Sequence, residues 1–447
     1  MKENWKKILF LAIPSIASFA SMTVTSTIHL MIIGQLGALA IAVVGVSNII
    51  MYNAWALFSG IGHTVNYLVA QNFGANQLNK GIERTYLALY LCIAASVLVI
   101  LCGTFLSDGI LLLMSGSEEL VRTGGDYLRV RFFAMVFAVF SFVFHGFFRG
   151  IGDTKTPMRL SVISNLCMII CTYTFTRQWG LAGAGWAFLI GEAVGALGCL
   201  YVYFVSLHAR FGTRTKVPFN RSESKLILSE SFKLGIQEFS MSVSMFIFTM
   251  FVARLGTHAL AANEIALNVM AFGFMPAFAF GTTATILVGQ EIGKGNPLLA
   301  RRAGTDTAIM GSLFMLLLGL VEFLLADPIA RLYTDDPQVY ELTASLIKTS
   351  AFLQVFDGLL NFYAGGLRGI GDTTFLLRVS FLLGFFFFVP LTYVLTFVLQ
   401  LSSMGAWLSL YIFLMAFGIS VMIRFYRTDW SQVRLKSAQP VREQLAE

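Results

Sequence analysis

Apolar runs of about 20 residues recur along the whole chain, and this constrains its fold more than any other feature. Hydrocarbon offers no water to an unpaired peptide group, so each run has to close its backbone hydrogen bonds as a helix or lie behind one. Twelve runs are read, at 8–33, 47–70, 85–107, 127–148, 157–177, 181–206, 228–254, 262–290, 304–326, 340–367, 376–398 and 402–424. The first is too long for a cleavable signal and lacks an A-x-A-like site. The chain is 57% hydrophobic and only 12% charged, against about 25% charged in an ordinary soluble domain. A soluble enzyme, a disordered chain and a disulfide scaffold are thereby excluded. The fold class is an all-α polytopic membrane protein with twelve transmembrane helices.

The net charge of +7 is topological. With a cytoplasmic N-terminus, 24 of the 31 Lys and Arg residues fall in inside loops or the tail, among them Lys80, Arg84, Arg149, Lys233, Arg368 and Arg442. Arg122, Arg129, Arg131, Arg177, Arg254, Arg331 and Lys348 remain outside. This is the positive-inside bias of a protein with both termini in the cytosol, in the cell membrane, and it gives no reason to expect a nucleic acid partner. Cys92, Cys102, Cys167, Cys171 and Cys199 all lie within apolar runs and read as small hydrophobes. No disulfide, metal site or cofactor is expected.

One spacing recurs. Arg149-Gly-Ile-Gly-Asp-Thr154 returns as Arg368-Gly-Ile-Gly-Asp-Thr373, 219 residues later. Leu36-Gly37 returns as Leu255-Gly256, and Gln71 and Gly74 return as Gln290 and Gly293, at the same offset of 219. Six helices per copy is an even number, so both copies enter the membrane in one direction, as parallel repeats. The expected organisation is an N-lobe at 1–206, a cytoplasmic linker at 207–227, a C-lobe at 228–425 and a cytoplasmic tail at 426–447, with two six-helix lobes around a central cavity. Each Arg-Gly-Ile-Gly-Asp-Thr segment reads as a structural turn. Its glycines allow a tight bend, and Asp153 or Asp372 can cap the next helix or pair with an Arg.

These features resemble the multidrug and toxic compound extrusion family. The residues that carry the likeness are Pro14, Gly34-Gln-Leu-Gly37 with Ala38-Leu-Ala40, Val69-Ala-Gln-Asn-Phe-Gly74, both Arg-Gly turns, Leu181-Ala-Gly-Ala-Gly185 and Ala261-Ala-Asn-Glu-Ile265. The resemblance covers roughly 8–425. It implies a two-lobe antiporter that expels amphipathic, mostly cationic compounds in exchange for protons or sodium ions. Many members carry an Asp on the first helix where this chain has His29. Their fifth-helix Asn matches Asn165, and their fifth-helix Asp falls at or near Thr172. In some branches an acid precedes the Arg-Gly turn of the tenth helix at the spacing of Asp357 from Gly369, and a seventh-helix Glu faces it. Glu238 and Met241 compete for that last match.

Independently of resemblance, an ionisable side chain within a span is costly and suggests function. Glu192, Glu238, Glu264, Glu322 and Asp357 qualify, Glu322 reading as interfacial and Glu264 as a helix-start acid. Asp357 lies mid-span with Gln354 three residues before it and Asn361 four after, on one helical face. The expected cation-coupling residues are Asp357, Glu238 and His29, since an unperturbed imidazole, with a pKa of about 6.5, would exchange protons at physiological pH. Asn165, Asn361, Gln237, Glu264, Gln354, Thr172, His63 and Asn66 are the candidates for lining a substrate cavity.

The function expected is secondary antiport by a monomer, without enzymatic activity. A lipid-linked oligosaccharide flippase is the alternative, and a strongly cationic cavity would be its mark. No G-x-x-x-x-G-K-[ST] loop is present for direct ATP coupling. The topology makes a prediction. A fluorescent protein fused to the C-terminus should fluoresce, whereas alkaline phosphatase at the same point should stay inactive; the reverse result would invert the orientation.

Overall fold

The computed structural model describes residues 2–333 and 336–437, so Arg442 and the end of the expected tail lie outside the described residues. No strand occurs among the described residues. Ten helical segments are long and apolar enough to cross a membrane. One of them, Lys155–Phe211, turns back at Gly180 (φ 57°, ψ −138°), a backbone conformation essentially reserved for glycine, and so contributes two crossings. The twelfth is the more polar Pro337–Ile370, which carries Asp357.

In chain order the crossing helices are α1 (Lys2–Gly34), α2 (Ala38–Gly74), α3 (Leu78–Phe105), α4 (Glu118–Gly150), α5 (155–179) and α6 (181–201). Then follow α7 (Arg221–Ala253), α8 (Thr257–Gly293), α9 (Pro297–Leu324), α10 (Pro337–Ile370), α11 (Thr373–Val398) and α12 (Ser402–Arg427). The polar connection between the halves is short as backbone, because helix extends to Phe211 and resumes at Arg221.

Two compact units emerge, one of Met1–Ile16 with Gln237–Leu435, the other of Ala17–Ile236 with the described part of Lys436–Glu447. They are called here the second-half and first-half units. The first turns of α1 thus belong to the second-half unit, and those of α7 to the first-half unit.

The repeat is built into the packing. Lipid supplies little hydrophobic drive between helices, so small residues that let backbones approach become the contact points. In the first-half unit α4 lays Gly146 against the carbonyl of Gly62 on α2, and Gly150 against Val69. In the second-half unit α10 lays Gly365 against the carbonyl of Gly281 on α8, and Gly369 against Val288. All four pairs are related by the offset of 219. So is a hydroxyl contact: Ser161 Oγ accepts from Ser18 Oγ at 3.0 Å, and Ser380 Oγ donates to the Gln237 carbonyl, also at 3.0 Å.

The two Arg-Gly turns divide the roles open to their aspartates. Asp153 caps α5, accepting from the Lys155 and Thr156 amides at 3.1 and 3.0 Å. Asp372 instead pairs with Arg424 of α12 at 2.7 Å. Beyond α12 the chain returns to the first-half unit. There the Lys436 amide donates to Gln71 Oε1 at 2.9 Å, and buried Arg84 donates to the Lys436 carbonyl at 3.0 Å and to Glu223 at 2.9 Å.

Two glycine substitutions separate steric from conformational cost. Gly146→Leu drives a side chain into the Gly62 backbone and should cost about 3 kcal/mol or more. Gly180→Ala meets open space and should cost only its backbone strain, about 1–3 kcal/mol. Thermal unfolding of the two purified variants in detergent checks the order; equal stability would refute the close crossing.

Candidate functional site

In the first-half unit three polar residues of α1 meet α5 in successive rungs. Ser18 bonds Ser161, Asn165 Nδ2 donates to Ser21 Oγ at 2.9 Å, and His29 Nδ1 lies 2.9 Å from Thr172 Oγ1. His29 and Thr172, singled out from different helices, are therefore direct partners. The Thr172 hydroxyl donates to the Met168 carbonyl at 2.8 Å. Its oxygen must then accept from His29, which places the imidazole hydrogen on Nδ1 and leaves Nε2 as the acceptor.

Nε2 is 3.4 Å from the Tyr127 hydroxyl, and the Tyr127 oxygen accepts from Arg131 Nη1 at 2.7 Å. The donors thus run one way, from Arg131 through Tyr127 and His29 to Thr172. Asn48 on α2 accepts from the same Arg131 nitrogen at 3.1 Å. The guanidinium lies 3.8 Å from the centre of the Phe188 ring, which also meets His29 edge-on at 4.4 Å. Behind Tyr127, Ile33, Val43, Val44, Leu181 and Ala184 form a tight apolar wall. Glu192 follows Phe188 by one turn of α6, within range of the Arg131 charge.

Lower on the same unit, buried His63 packs edge-on against Phe142 at 5.1 Å. The backbone of Asn66 forms part of the crossing beside Gly146 and Gly150, and its buried Oδ1 accepts no hydrogen bond.

In the second-half unit Asp357 is 6% exposed and its charge has no basic partner among the described residues. Asn361 Nδ2 reaches its carbonyl at 2.9 Å and its Oδ1 at 3.3 Å. Gln354 does not join it. Its Nε2 donates to Glu322 of α9, and Glu322, expected at the interface, is buried there. Glu238 lies 3.4 Å from Arg368. Arg368 follows Asp357 by 11 residues of α10, about 16 Å along a helix axis. The structure therefore sets Glu238 and Asp357 apart. Gln237 holds Ser380 through its backbone, and its own buried Oε1 accepts no hydrogen bond. Glu264 is exposed, while its neighbour Asn263 accepts from Trp407 Nε1 at 3.0 Å.

Tyr127, Arg131, Asn48 and Phe188 were not singled out from sequence. A signal existed: Arg131 stands four residues inside a run that opens at Tyr127, on the same helical face. The repeat-related positions of His29 and Phe188 are Phe248 and Trp407, which meet edge-on at 6.3 Å within an aromatic stack that includes Phe388. At this location the titratable group belongs to the first-half unit alone among the described residues.

The profile described as MatE matches residues 14–174 and again 234–394. The chain is 25% identical to a probable multidrug resistance protein NorM of Thermotoga maritima, over 99% of this chain and 96% of that protein. It is 28% identical to the multidrug resistance protein NorM of Burkholderia vietnamiensis, over 93% and 91%. Among solved structures, an outward-facing multidrug resistance MATE transporter of the MOP superfamily superimposes with a TM-score of 0.87 at 21% identity, covering 95% of this chain and 96% of that one. A MOP superfamily transporter from Pyrococcus furiosus, described by a reversed polarity of its binding pocket, gives 0.86 at 21% identity, covering 95% of each chain.

The donor chain around His29 is testable. Tyr127→Phe takes one partner from Arg131 and leaves His29 Nε2 without a donor, and should lower stability by about 1–3 kcal/mol. An unchanged unfolding temperature of the purified variant would show that the hydroxyl bridges nothing.

Proposed function

As the chain belongs to the MatE family of multidrug efflux transporters, we propose that it is a secondary active antiporter exporting amphipathic, mostly cationic compounds in exchange for protons or sodium ions. Its setting in this reading is the cell membrane, with both termini cytoplasmic and the monomer as the working unit.

The observation that carries the reading is Asp357. A carboxylate within a membrane helix, buried and bonded only by an amide, is expensive to hold charged and has no internal cation to relieve it. A proton or sodium ion supplies that relief. Asn361 then acts as the amide that orients the carboxylate, since it holds both the backbone and the side chain of Asp357. Glu238 has its own cation in Arg368, so its role in this reading is to hold the end of α10 and not to take the transported ion. For ion binding to drive export, the ion has to bind two conformations with different affinity.

His29 offers a second proton-responsive point. In the donor chain its Nε2 accepts from Tyr127, so a proton arriving at Nε2 turns that nitrogen into a donor and forces the Tyr127 hydroxyl to reorient toward another acceptor. Arg131, already donating to Tyr127, ties this change to α4. Thr172, Asn165, His63 and Asn66 remain candidates for substrate contact in the first-half unit, and Gln237, Gln354 and Glu264 in the second-half unit. Of these, Glu264 is the freest to meet a ligand, because it is exposed and Asn263 is already engaged with Trp407.

Proteoliposomes loaded with an imposed pH or sodium gradient and given a fluorescent cationic dye test the reading. The wild type should move dye with one gradient only, and Asp357→Asn should lower the rate at least tenfold. Normal transport by Asp357→Asn together with loss in His29→Ala would move coupling to the first-half unit. No dye movement under either gradient would favour the flippase alternative.

A further inference from the structure

The offset that relates the halves also relates two buried arginines that end differently. Arg368 of the second-half unit has a carboxylate, that of Glu238, at 3.4 Å. Its counterpart Arg149 is 4% exposed, and the position equivalent to Glu238, 219 residues earlier, is Phe19. The chain keeps the geometry and loses the charge: the Arg149 guanidinium lies 5.0 Å from the Phe19 ring centre and 5.8 Å from that of Phe142. No hydrogen bond or ion pair reaches it among the described residues, and its Nε is buried without an acceptor. The two terminal nitrogens are not sealed in the same way, so a fork of donors is left open.

Among the described residues, the nearby side chains bring imidazoles and no carboxylate. His63 packs on the same Phe142 ring, and His145 precedes Arg149 by one turn, within range of its charge. Their equivalents in the second-half unit are Thr282 and Ala364. Cys199 of α6 is also within range of the Arg149 charge, and the Asn66 segment of α2 packs on the next residue, Gly150. Of the acids within this unit, Glu192 interacts with Arg131, Glu223 pairs with Lys80 and Arg84, and Glu230 bonds Tyr67, Lys233 and Lys436. A buried arginine with no acid, beside two histidines, is an uncompensated charge, and such a charge in a membrane protein calls for a partner.

We propose that the partner is external: Arg149, with His63 and His145, binds the anionic group of an amphipathic ligand, a carboxylate or a phosphate, in the place that Glu238 fills in the other half. The ligand supplies one anionic group to the guanidinium fork and an apolar body to Phe19 and Phe142. Resting on the transport reading, this gives the acid group of a transported amphiphile its own place, at Arg149 in the first-half unit.

Binding to the purified full chain in an uncharged detergent tests this without any gradient, so its failure leaves the transport reading standing. The probe is pyrenebutyrate, with its methyl ester as the neutral control. The wild type should bind the acid at least tenfold more tightly than the ester. Arg149→Gln should abolish that preference, and Arg149→Lys should keep part of it. Phe19→Glu restores the internal ion pair of the second-half unit, so it should abolish binding while the unfolding temperature is kept or raised. A second arm, native mass spectrometry of protein from phosphatidylglycerol nanodiscs, identifies the source. Retained lipid, lost in Arg149→Gln and competing with pyrenebutyrate, assigns the site to a headgroup phosphate; no retained lipid assigns it to a soluble acid. Equal binding of acid and ester, or wild-type binding by both Arg149→Gln and a folded Phe19→Glu, overturns the proposal.

Discussion

Everything in each unit hangs on one close approach, a glycine of one long helix set against a glycine carbonyl of another. Gly146 on Gly62 and Gly365 on Gly281 bring the α2–α4 and α8–α10 axes nearer than any side chain would permit. In lipid this proximity is what dispersion and weak backbone contacts require, since helix association there has little hydrophobic component. The neighbours obey the same geometry. Val69 and Val288 close over Gly150 and Gly369 one turn further along, and the Arg-Gly turns begin where those contacts end. Two pairs of helices so tightly joined can tolerate unusual residues elsewhere on their faces.

That tolerance is where the halves part company. With the crossings held constant, the same location carries His29 against Phe188 in one unit and Phe248 against Trp407 in the other. The aromatic version needs no partner beyond neighbouring rings, and Phe388 and Phe413 supply them by stacking with centroids 4.5 Å apart. The polar version needs each donor matched to an acceptor, because a buried polar group left alone costs as much as the bond it lacks. It is matched across three helices, with Arg131 and Tyr127 of α4, His29 of α1 and Thr172 of α5 in sequence. At this one location duplication has therefore yielded an aromatic stack in the second-half unit and a hydrogen-bonded polar chain in the first-half unit.

Much of this is readable in the sequence wherever the lipid dictates it. Apolar runs declare the crossing helices whatever their partners, and the repeated Arg-Gly-Ile-Gly-Asp-Thr turn declares the duplication. Even the two roles open to its aspartate are legible, although which copy caps and which pairs depends on Arg424, far along the chain. Contacts between helices are less legible because they depend on rotation about the helix axis, which spacing within one helix does not set. Gln354 shares a face with Asp357 by spacing, yet Glu322 of α9 captures it. Arg131 counts as a flanking charge until Tyr127 and Asn48 are seen to hold it. The return of Lys436 to Gln71 and Arg84 carries no local signal at all, since it joins residues 365 and 352 positions apart.

The pairing of charges shows most clearly how an inherited frame is put to new use. Where Glu238 answers Arg368, the charge on α10 is settled within the protein and the helix end is fixed. At the related place in the first-half unit the answering carboxylate is missing, and a phenyl ring offers only its face. A ring face recovers about 0.5–2 kcal/mol of a cation's lost solvation, far less than the several kcal/mol that burying an unpaired ion costs. The difference is not recovered by the neighbours, since His63 and His145 bring no negative charge. A fold stabilised so firmly by its glycine crossings can carry that deficit at one site, and a deficit of this sign is relieved only by an anion.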